Sequence, residues 1–238
     1  MTDMMPSSWN KKTKPHLFCP GCGHAIVLKQ LGFAIDEIKI AKKVALGIDI
    51  GCSLLAWNFF NLDTIQTHHG RTTPTMVGYK LARPERIAIS YTGDGGAYAI
   101  GLQSILHAAY RNNPVTVIVV NNENYAMTGG QISPTTEVGR ITTTSPSGKP
   151  PELGPGLHGP ELVREVAGSN SYIARASVSS PLALKATIKK ALENQIVDNS
   201  FSFVEILSIC PTNWKTNARD SFDLLREMEK FYPLGEVK

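Results

Sequence analysis

The stretch Val115-Thr-Val-Ile-Val-Val120 is apolar or β-branched at every position. Neighbouring side chains of a strand point to opposite faces, so a strand with one wet face alternates polar and apolar residues. This one offers water almost nothing. It belongs inside a sheet covered on both sides, as parallel sheets of α/β proteins are. It is also far too short to cross a bilayer, and the chain has no longer clean apolar run. Just upstream, "RIAISYTG" (86–93) reads as a second β-branched strand that stops at glycine. Between the two, Ala97 to Arg111 has helical spacing through Leu102, Ile105, Leu106 and Ala109. Strand, helix and strand in that order predict a βαβ unit.

The alternation runs through the rest of the chain. "HAIVLKQLGFAIDEI" places Ile26, Val27, Leu31, Ala34, Ile35 and Ile38 at helical spacing, and "KVALGIDIGC" reads as a strand entering a tight turn at Gly51-Cys52. "LLAWNFF" (54–60) is an apolar patch without a clear period, and "THHGRTTP" reads as a loop leading to a short helix from Met76 to Leu81. Further on come helix "GPELVREVAG", strand "SYIARASV", and helix "SPLALKATIKKALENQ" with Ser180 as its cap and Pro181 at its first position. Strand "SFVEILSICP" and an amphipathic helix over about 218–230 close the pattern. The expected fold class is α/β: a doubly wound, mostly parallel sheet with helices on both faces, and ligands at the carboxyl ends of its strands. Residues 18–215 form the expected domain, preceded by an extended polar arm (1–17) and followed by a C-terminal helix and tail (216–238). The segment from Thr128 to Gly159 is rich in Gly, Pro, Ser and Thr and too long for an ordinary connector. It reads as a functional lid or a segment ordered by a partner.

Net charge is +4, too small to imply nucleic acid. Lysines 11, 12 and 14 have no apolar stretch behind them, so no secretory signal is expected and the protein reads as cytoplasmic, without a membrane anchor. That compartment keeps thiols reduced, which turns attention to what four cysteines do there. Cys19 and Cys22 share one turn, Cys52 follows a strand and Cys210 ends another. A C-x₂-C pair with two distant single cysteines fits a four-iron cluster. Zinc, which usually takes two paired knuckles, a Cys-Pro-Gly-Cys redox pair and inert core thiols are the other readings.

"TGDGGAYAIG" lies where a strand meets a helix N-terminus. Gly93, Gly95 and Gly96 let the backbone approach a phosphate, and the helix start supplies free N–H groups. Asp94 would repel that phosphate unless a divalent cation lies between them, since hard cations take carboxylate, amide and phosphate oxygens. Asn121-Asn122 ends the next parallel strand, side by side with Asp94, so both can reach one ion.

A Gly-Asp-Gly string followed by Asn-Asn at this spacing resembles the diphosphate and Mg²⁺ motif of thiamine-diphosphate enzymes. The longer strings "GDGGAYAIG…HAAYRN…VTVIVVNNENYAMTGGQISPTT", with "CPGCGH", "IGCS", "HGRTTP", "TTTSPSG" and "FSFVEILSICPTNW", resemble the β subunit of the 2-oxoacid:ferredoxin oxidoreductases over nearly the whole chain. The resemblance implies a thiamine-diphosphate-binding domain in which Asp94, the Asn122 side chain and the Asn124 carbonyl hold Mg²⁺. Gly93, Gly95 and Gly96 would line the diphosphate, with Tyr125, Met127 and Thr128 over the cofactor and Ile50, Gly51, Ser53 and His69 beside it. Cys19, Cys22, Cys52 and Cys210 would hold a [4Fe–4S] cluster. His69 is the candidate for substrate contact or proton handling; His24 is given no chemical role and Trp214 is read as packing. Similar chains usually carry aspartate at position 96, an aliphatic residue at 124 and glycine at 126, where this one has Gly96, Asn124 and Ala126.

The implied activity is CoA-dependent oxidative decarboxylation of a 2-oxo acid, with electrons leaving through the cluster to ferredoxin. The implied partners are an α subunit carrying the pyrimidine-binding domain, a γ subunit and a ferredoxin-like δ subunit. Leu54-Leu55-Ala56-Trp57 offers no cation for a second carboxylate, which suits a branched-chain or other uncharged 2-oxo acid.

Overall fold

The structure is a computed structural model that describes residues 5–12 and 16–238. Seven strands form one sheet: β1 (Val44–Ile48), β2 (Asp63–Gln66), β3 (Ile87–Gly93), β4 (Thr116–Asn121), β7 (Tyr172–Ser177), β8 (Ser202–Leu207) and β9 (Gly235–Glu236). Their order is β2-β1-β3-β4-β8-β7-β9, parallel throughout except for β9, which runs antiparallel along β7. A separate two-stranded ribbon joins β5 (Asn124–Tyr125) to β6 (Gln131–Ile132).

The period of two in each strand divides the core between the sheet's two faces. Ile118 and Val120 of β4 pack with Leu28 and Leu31 of α1 (Gly23–Glu37) and Ile188 of α5 (Pro181–Val197); Met228 of α7 (Ala218–Phe231) joins that core. Val117 and Val119 face the other way, toward Met76 of α2 (Thr72–Ala82), Ile105 of α3 (Leu102–Tyr110) and Val163 of α4 (Gly159–Val166). The expected doubly wound sheet is the observed one. From β1 the chain moves outward to β2 on one side, then returns to place β3 on the other. That reversal opens a crevice at the carboxyl ends of β1 and β3, where ligands bind in such sheets.

Several local expectations change. Residues 63–66 form edge strand β2, which pairs with β1, and α2 begins at Thr72 rather than near Met76. The apolar patch after Gly51 is a 3₁₀ helix over Cys52–Asn58. The expected helix from Ala97 starts as one π-helical turn, Gly96–Ile100, before α3; such turns are frequent at functional sites. Ser180 holds the N-cap position of α5 but makes no capping hydrogen bond with its side chain. Residues 1–4 and 13–15 of the expected arm, Lys14 among them, lie outside the described residues. The part that is described is packed rather than extended: Trp9 is 8% exposed and stands edge-on to Phe59 at 4.3 Å. Ser7 donates from N and Oγ to the Asp36 carboxylate, each at 2.6 Å. Among the described residues, no helix is long and apolar enough to cross a membrane.

Candidate functional site

At the switch between β1 and β3 lies a cleft of about 310 Å³. Its walls are His24 near the start of α1 and four further stretches of chain: residues 50–53 after β1, His69 after β2, residues 93–96 at the end of β3, and Asn122 with 124–128 after β4. Thus Ile50, Gly51, Ser53, His69, Gly93, Asp94, Gly95, Gly96, Asn122, Asn124, Tyr125, Met127 and Thr128 all border one space. Register explains part of this, because Gly93 pairs with Val120 and so sets Asp94 beside the Asn121-Asn122 end of β4. Gly51 has φ +124°, outside the reach of residues with a Cβ, and turns the chain from β1 into the 3₁₀ helix.

Asp94 is 2% exposed, and its Oδ2 accepts from Ser133 Oγ and Thr135 Oγ1, both at 2.6 Å. Burial pushes its carboxyl up to about 6, and these two donors hold the rise in check. The Asn122 side-chain oxygen is buried with no hydrogen-bond partner, an expensive arrangement unless a ligand satisfies it. Asn124 is occupied differently. Its Nδ2 donates to the Asn122 carbonyl at 2.7 Å, which leaves its backbone for a ligand role. A buried carboxylate beside an orphaned amide oxygen is the donor set a hard cation takes, so the residues present fit Mg²⁺. Among the described residues lining the cleft there is no lysine or arginine.

The far side of this loop is braced from α6 (Pro211–Trp214). Asn213 Nδ2 donates to the Ala126 carbonyl at 2.8 Å and approaches Cys210 Sγ at 3.6 Å. Trp214 Nε1 donates to the Asn122 carbonyl at 3.2 Å, so Trp214 holds the loop as well as packing. The Cys-Pro-Gly-Cys turn sits against the same element, with Gly23 N donating to the Ile209 carbonyl at 3.2 Å. All four cysteines are free thiols, and Cys22, Cys52 and Cys210 each have their pKa raised, chiefly by burial and in part by neighbouring cysteines. Only Cys52 also borders the cleft. Burial pushes Cys22 and Cys52 up to about 12, the opposite of the depressed pKa a reactive redox pair uses. Four neighbouring thiols, Cys210 buried, Cys22 and Cys52 partly buried and Cys19 exposed, match a four-thiolate ligand set in number. They stand as neighbours rather than a closed cage, since no three His, Cys, Asp or Glu side chains among the described residues form a preformed ion-binding set.

Two histidines border the cleft. His69 Nδ1 lies 2.9 Å from the Ile50 carbonyl and 3.3 Å from Asp49 Oδ2. His24 is buried, its Nδ1 2.6 Å from the Tyr91 hydroxyl, and burial drops its pKa to about 4. It is a neutral wall of the cleft, a position the sequence reading did not give it. Arg71 turns away to donate to the Ile100 carbonyl at 2.8 Å. Asp49, Ser133 and Thr135 were also missed. The last two lie in the segment read as a functional lid or as ordered by a partner, and both donate to Asp94.

Residues 49–206 match the family described as "Thiamine pyrophosphate enzyme, C-terminal TPP binding domain". The chain is 38% identical over 226 residues to the ketoisovalerate oxidoreductase subunit VorA of Methanothermobacter thermautotrophicus, covering 93% of this chain and 47% of that one. It is 39% identical over 222 residues to the 2-oxoglutarate synthase subunit KorB of Methanothermobacter marburgensis, covering 91% and 74%. It therefore spans about half the length of VorA and about three quarters of KorB. The 2-oxoglutarate:ferredoxin oxidoreductase from Magnetococcus marinus, solved with 2-oxoglutarate, coenzyme A and succinyl-CoA bound, superposes with a TM-score of 0.82 at 30% identity. That match covers 95% of this chain and 74% of that one. Cleft, sheet and sequence agree, and the chain belongs to the thiamine-pyrophosphate-binding subunits of the 2-oxoacid:ferredoxin oxidoreductase family.

Proposed function

We propose that this chain is the β subunit of a cytoplasmic 2-oxoacid:ferredoxin oxidoreductase. It converts a 2-oxo acid and coenzyme A to acyl-CoA and CO₂, and passes two electrons, one at a time, through a [4Fe–4S] cluster to ferredoxin. The observation that carries this reading is the position of Cys52, which borders the cleft on one side and neighbours the other three thiols on the other. An electron outlet thereby adjoins the place of reaction.

When bound, thiamine diphosphate supplies a carbanion-stabilising electron sink. The chain's own residues have separate tasks. Asp94, the Asn122 side-chain oxygen and the Asn124 backbone hold Mg²⁺, while Gly93, Gly95 and Gly96 admit the diphosphate to the backbone. Tyr125, Met127 and Thr128 cover it, and Cys19, Cys22, Cys52 and Cys210 hold the cluster. His69 meets the substrate end of the cleft. An α subunit brings the pyrimidine-binding half, and γ and ferredoxin-like δ subunits complete the assembly, so the isolated chain is inactive.

The substrate is a branched-chain or other uncharged 2-oxo acid. Support comes from the absence of lysine and arginine among the described lining residues and from the apolar 3₁₀ helix that starts at Cys52. A 2-oxoglutarate enzyme is the second reading, favoured by the likeness to KorB. Anaerobic purification of the native complex, followed by viologen reduction with CoA and a panel of 2-oxo acids, separates them. The expected result is fastest reduction with 2-oxoisovalerate. Preference for 2-oxoglutarate selects the second reading, and no turnover with any 2-oxo acid at full iron and thiamine content overturns both.

A further inference from the structure

His69 has a hydrogen-bonding arrangement that fixes more than its position. The Ile50 carbonyl, 2.9 Å from Nδ1, can only accept, so that contact requires the hydrogen on Nδ1. Asp49 Oδ2, 3.3 Å from the same nitrogen, favours the same tautomer. The neutral ring then carries a bare Nε2, left for the cleft that His69 borders.

Asp49 is itself fully buried and firmly held. Its Oδ1 accepts from Gly70 N at 2.7 Å and Thr72 Oγ1 at 3.0 Å; its Oδ2 accepts from Thr92 Oγ1 at 3.0 Å. These donors come from the loop after β2, the start of α2 and strand β3, so three elements hold one carboxylate. The space it occupies exists because position 96 has no side chain. A Cβ on Gly96 would stand 2.0 Å from Asp49 Oδ2 and 2.7 Å from Thr92 Oγ1. A solely structural carboxylate would be satisfied by its three donors; this one also turns an oxygen to the histidine at the cleft wall.

We propose that Asp49 is the positioning residue of His69: seated in the space Gly96 leaves open, its carboxylate reinforces the Nδ1–H tautomer that the Ile50 carbonyl requires and aims Nε2 at the substrate end of the cleft. What the aimed nitrogen does rests on the function proposed above; the tautomer does not.

The test begins with ¹⁵N-histidine NMR of the full chain, with the His69 signals assigned by their loss in His69→Gln. With spectra recorded at a pH where the ring is neutral, the hydrogen is expected on Nδ1, and a neutral ring carrying it on Nε2 would overturn the proposal whatever the activity. In the assembled complex, Asp49→Ser should lower kcat for viologen reduction roughly 10- to 100-fold, the cost seen when a metal-ligating histidine loses its outer partner. KM and thiamine diphosphate affinity should stay within about two-fold, and the His69 ring signals should shift as the ring loses its fixed orientation, the Ile50 carbonyl still keeping the hydrogen on Nδ1. Asp49→Asn, which keeps an acceptor oxygen in place, should retain more of the rate than Asp49→Ser. Unchanged kcat and unchanged His69 signals in Asp49→Ser, or Asp49→Asn no better than Asp49→Ser, refute the role. If Asp49→Ser does not fold, a parent-like rate and parent-like His69 signals in Asp49→Asn support the role and a roughly 10-fold or greater loss refutes it. If no 2-oxo acid is turned over, the functional reading fails while the tautomer measurement stands.

Discussion

Asp94 and Glu205 are two buried carboxylates of one sheet, and they are treated in opposite ways. Glu205 lies on β8, where Arg175 Nε meets it at 2.6 Å and the Tyr98 hydroxyl donates at 2.5 Å. Arg175 is fully buried as well, and its two terminal nitrogens reach the Glu161 carboxylate at 2.7 and 2.6 Å. Asp94, two strands away in the sheet, receives two neutral hydroxyls and the Gly95 backbone; burial raises the pKa of both carboxylates, but only Glu205 has a cation against it. A carboxylate with its countercharge built in is scaffold. One kept dry without a countercharge, beside the unpartnered Asn122 oxygen, is the kind of donor set a cation from outside would take.

That contrast can be broken experimentally. The largest effect is expected from Arg175→Met, which strands Glu205 and Glu161 and should cost about 3–5 kcal/mol in urea unfolding. The folded fraction should bind thiamine diphosphate as before; loss of binding at intact stability would invert the assignment. Asp94→Asn is the mirror case. Calorimetry with Mg²⁺ should show on the order of 100-fold weaker thiamine diphosphate binding, as removal of a charged partner implies. The melting temperature of the cofactor-free chain should hold or rise, and a clear fall would class Asp94 with Glu205. Ser133→Ala combined with Thr135→Val should weaken cofactor binding about tenfold by unfixing the carboxylate. Unchanged affinity would make the two hydroxyls mere packing.

The smallest effect is at the exposed Glu37, which accepts from Lys185 and Lys189 at 2.7 Å each and ties α1 to α5. Those hydrogen bonds lower its pKa to about 2. Its folded pKa lies below the ordinary 4.5, so its contribution is complete above about pH 4.5 and disappears as pH falls toward 2. Glu37→Gln should lower the melting temperature slightly at pH 7 and low salt, and not at all in high salt. An equal effect in molar salt would show that the pair is more than a surface clamp.

The strand-turn-helix-strand run from 86 to 122 was legible because unbroken β-branched residues and clustered glycines leave the backbone few alternatives. Strand β2 was not, since Asp63-Thr-Ile-Gln66 is a half-exposed edge without a clean period. Strand β9 is two residues long and exists only because β7 offers an edge. The cleft residues could be assembled from one motif each, but Ser133 and Thr135 are hydroxyls in a Ser/Thr/Pro-rich segment. Such segments have no periodicity, and only the folded path of the chain brings these two to Asp94. Asp49 was hidden for a related reason, because its partners His69, Gly70, Thr72, Thr92 and Gly96 come from four later turns of the chain.

The interlock of Asp49 and Gly96 ties together two positions far apart in the sequence. Any side chain at position 96 would force Asp49 to give up the hydrogen bonds that hold it. Substitutions at the two positions are therefore coupled: a side chain at 96 is tolerated only once Asp49 and the Thr92 hydroxyl have given way.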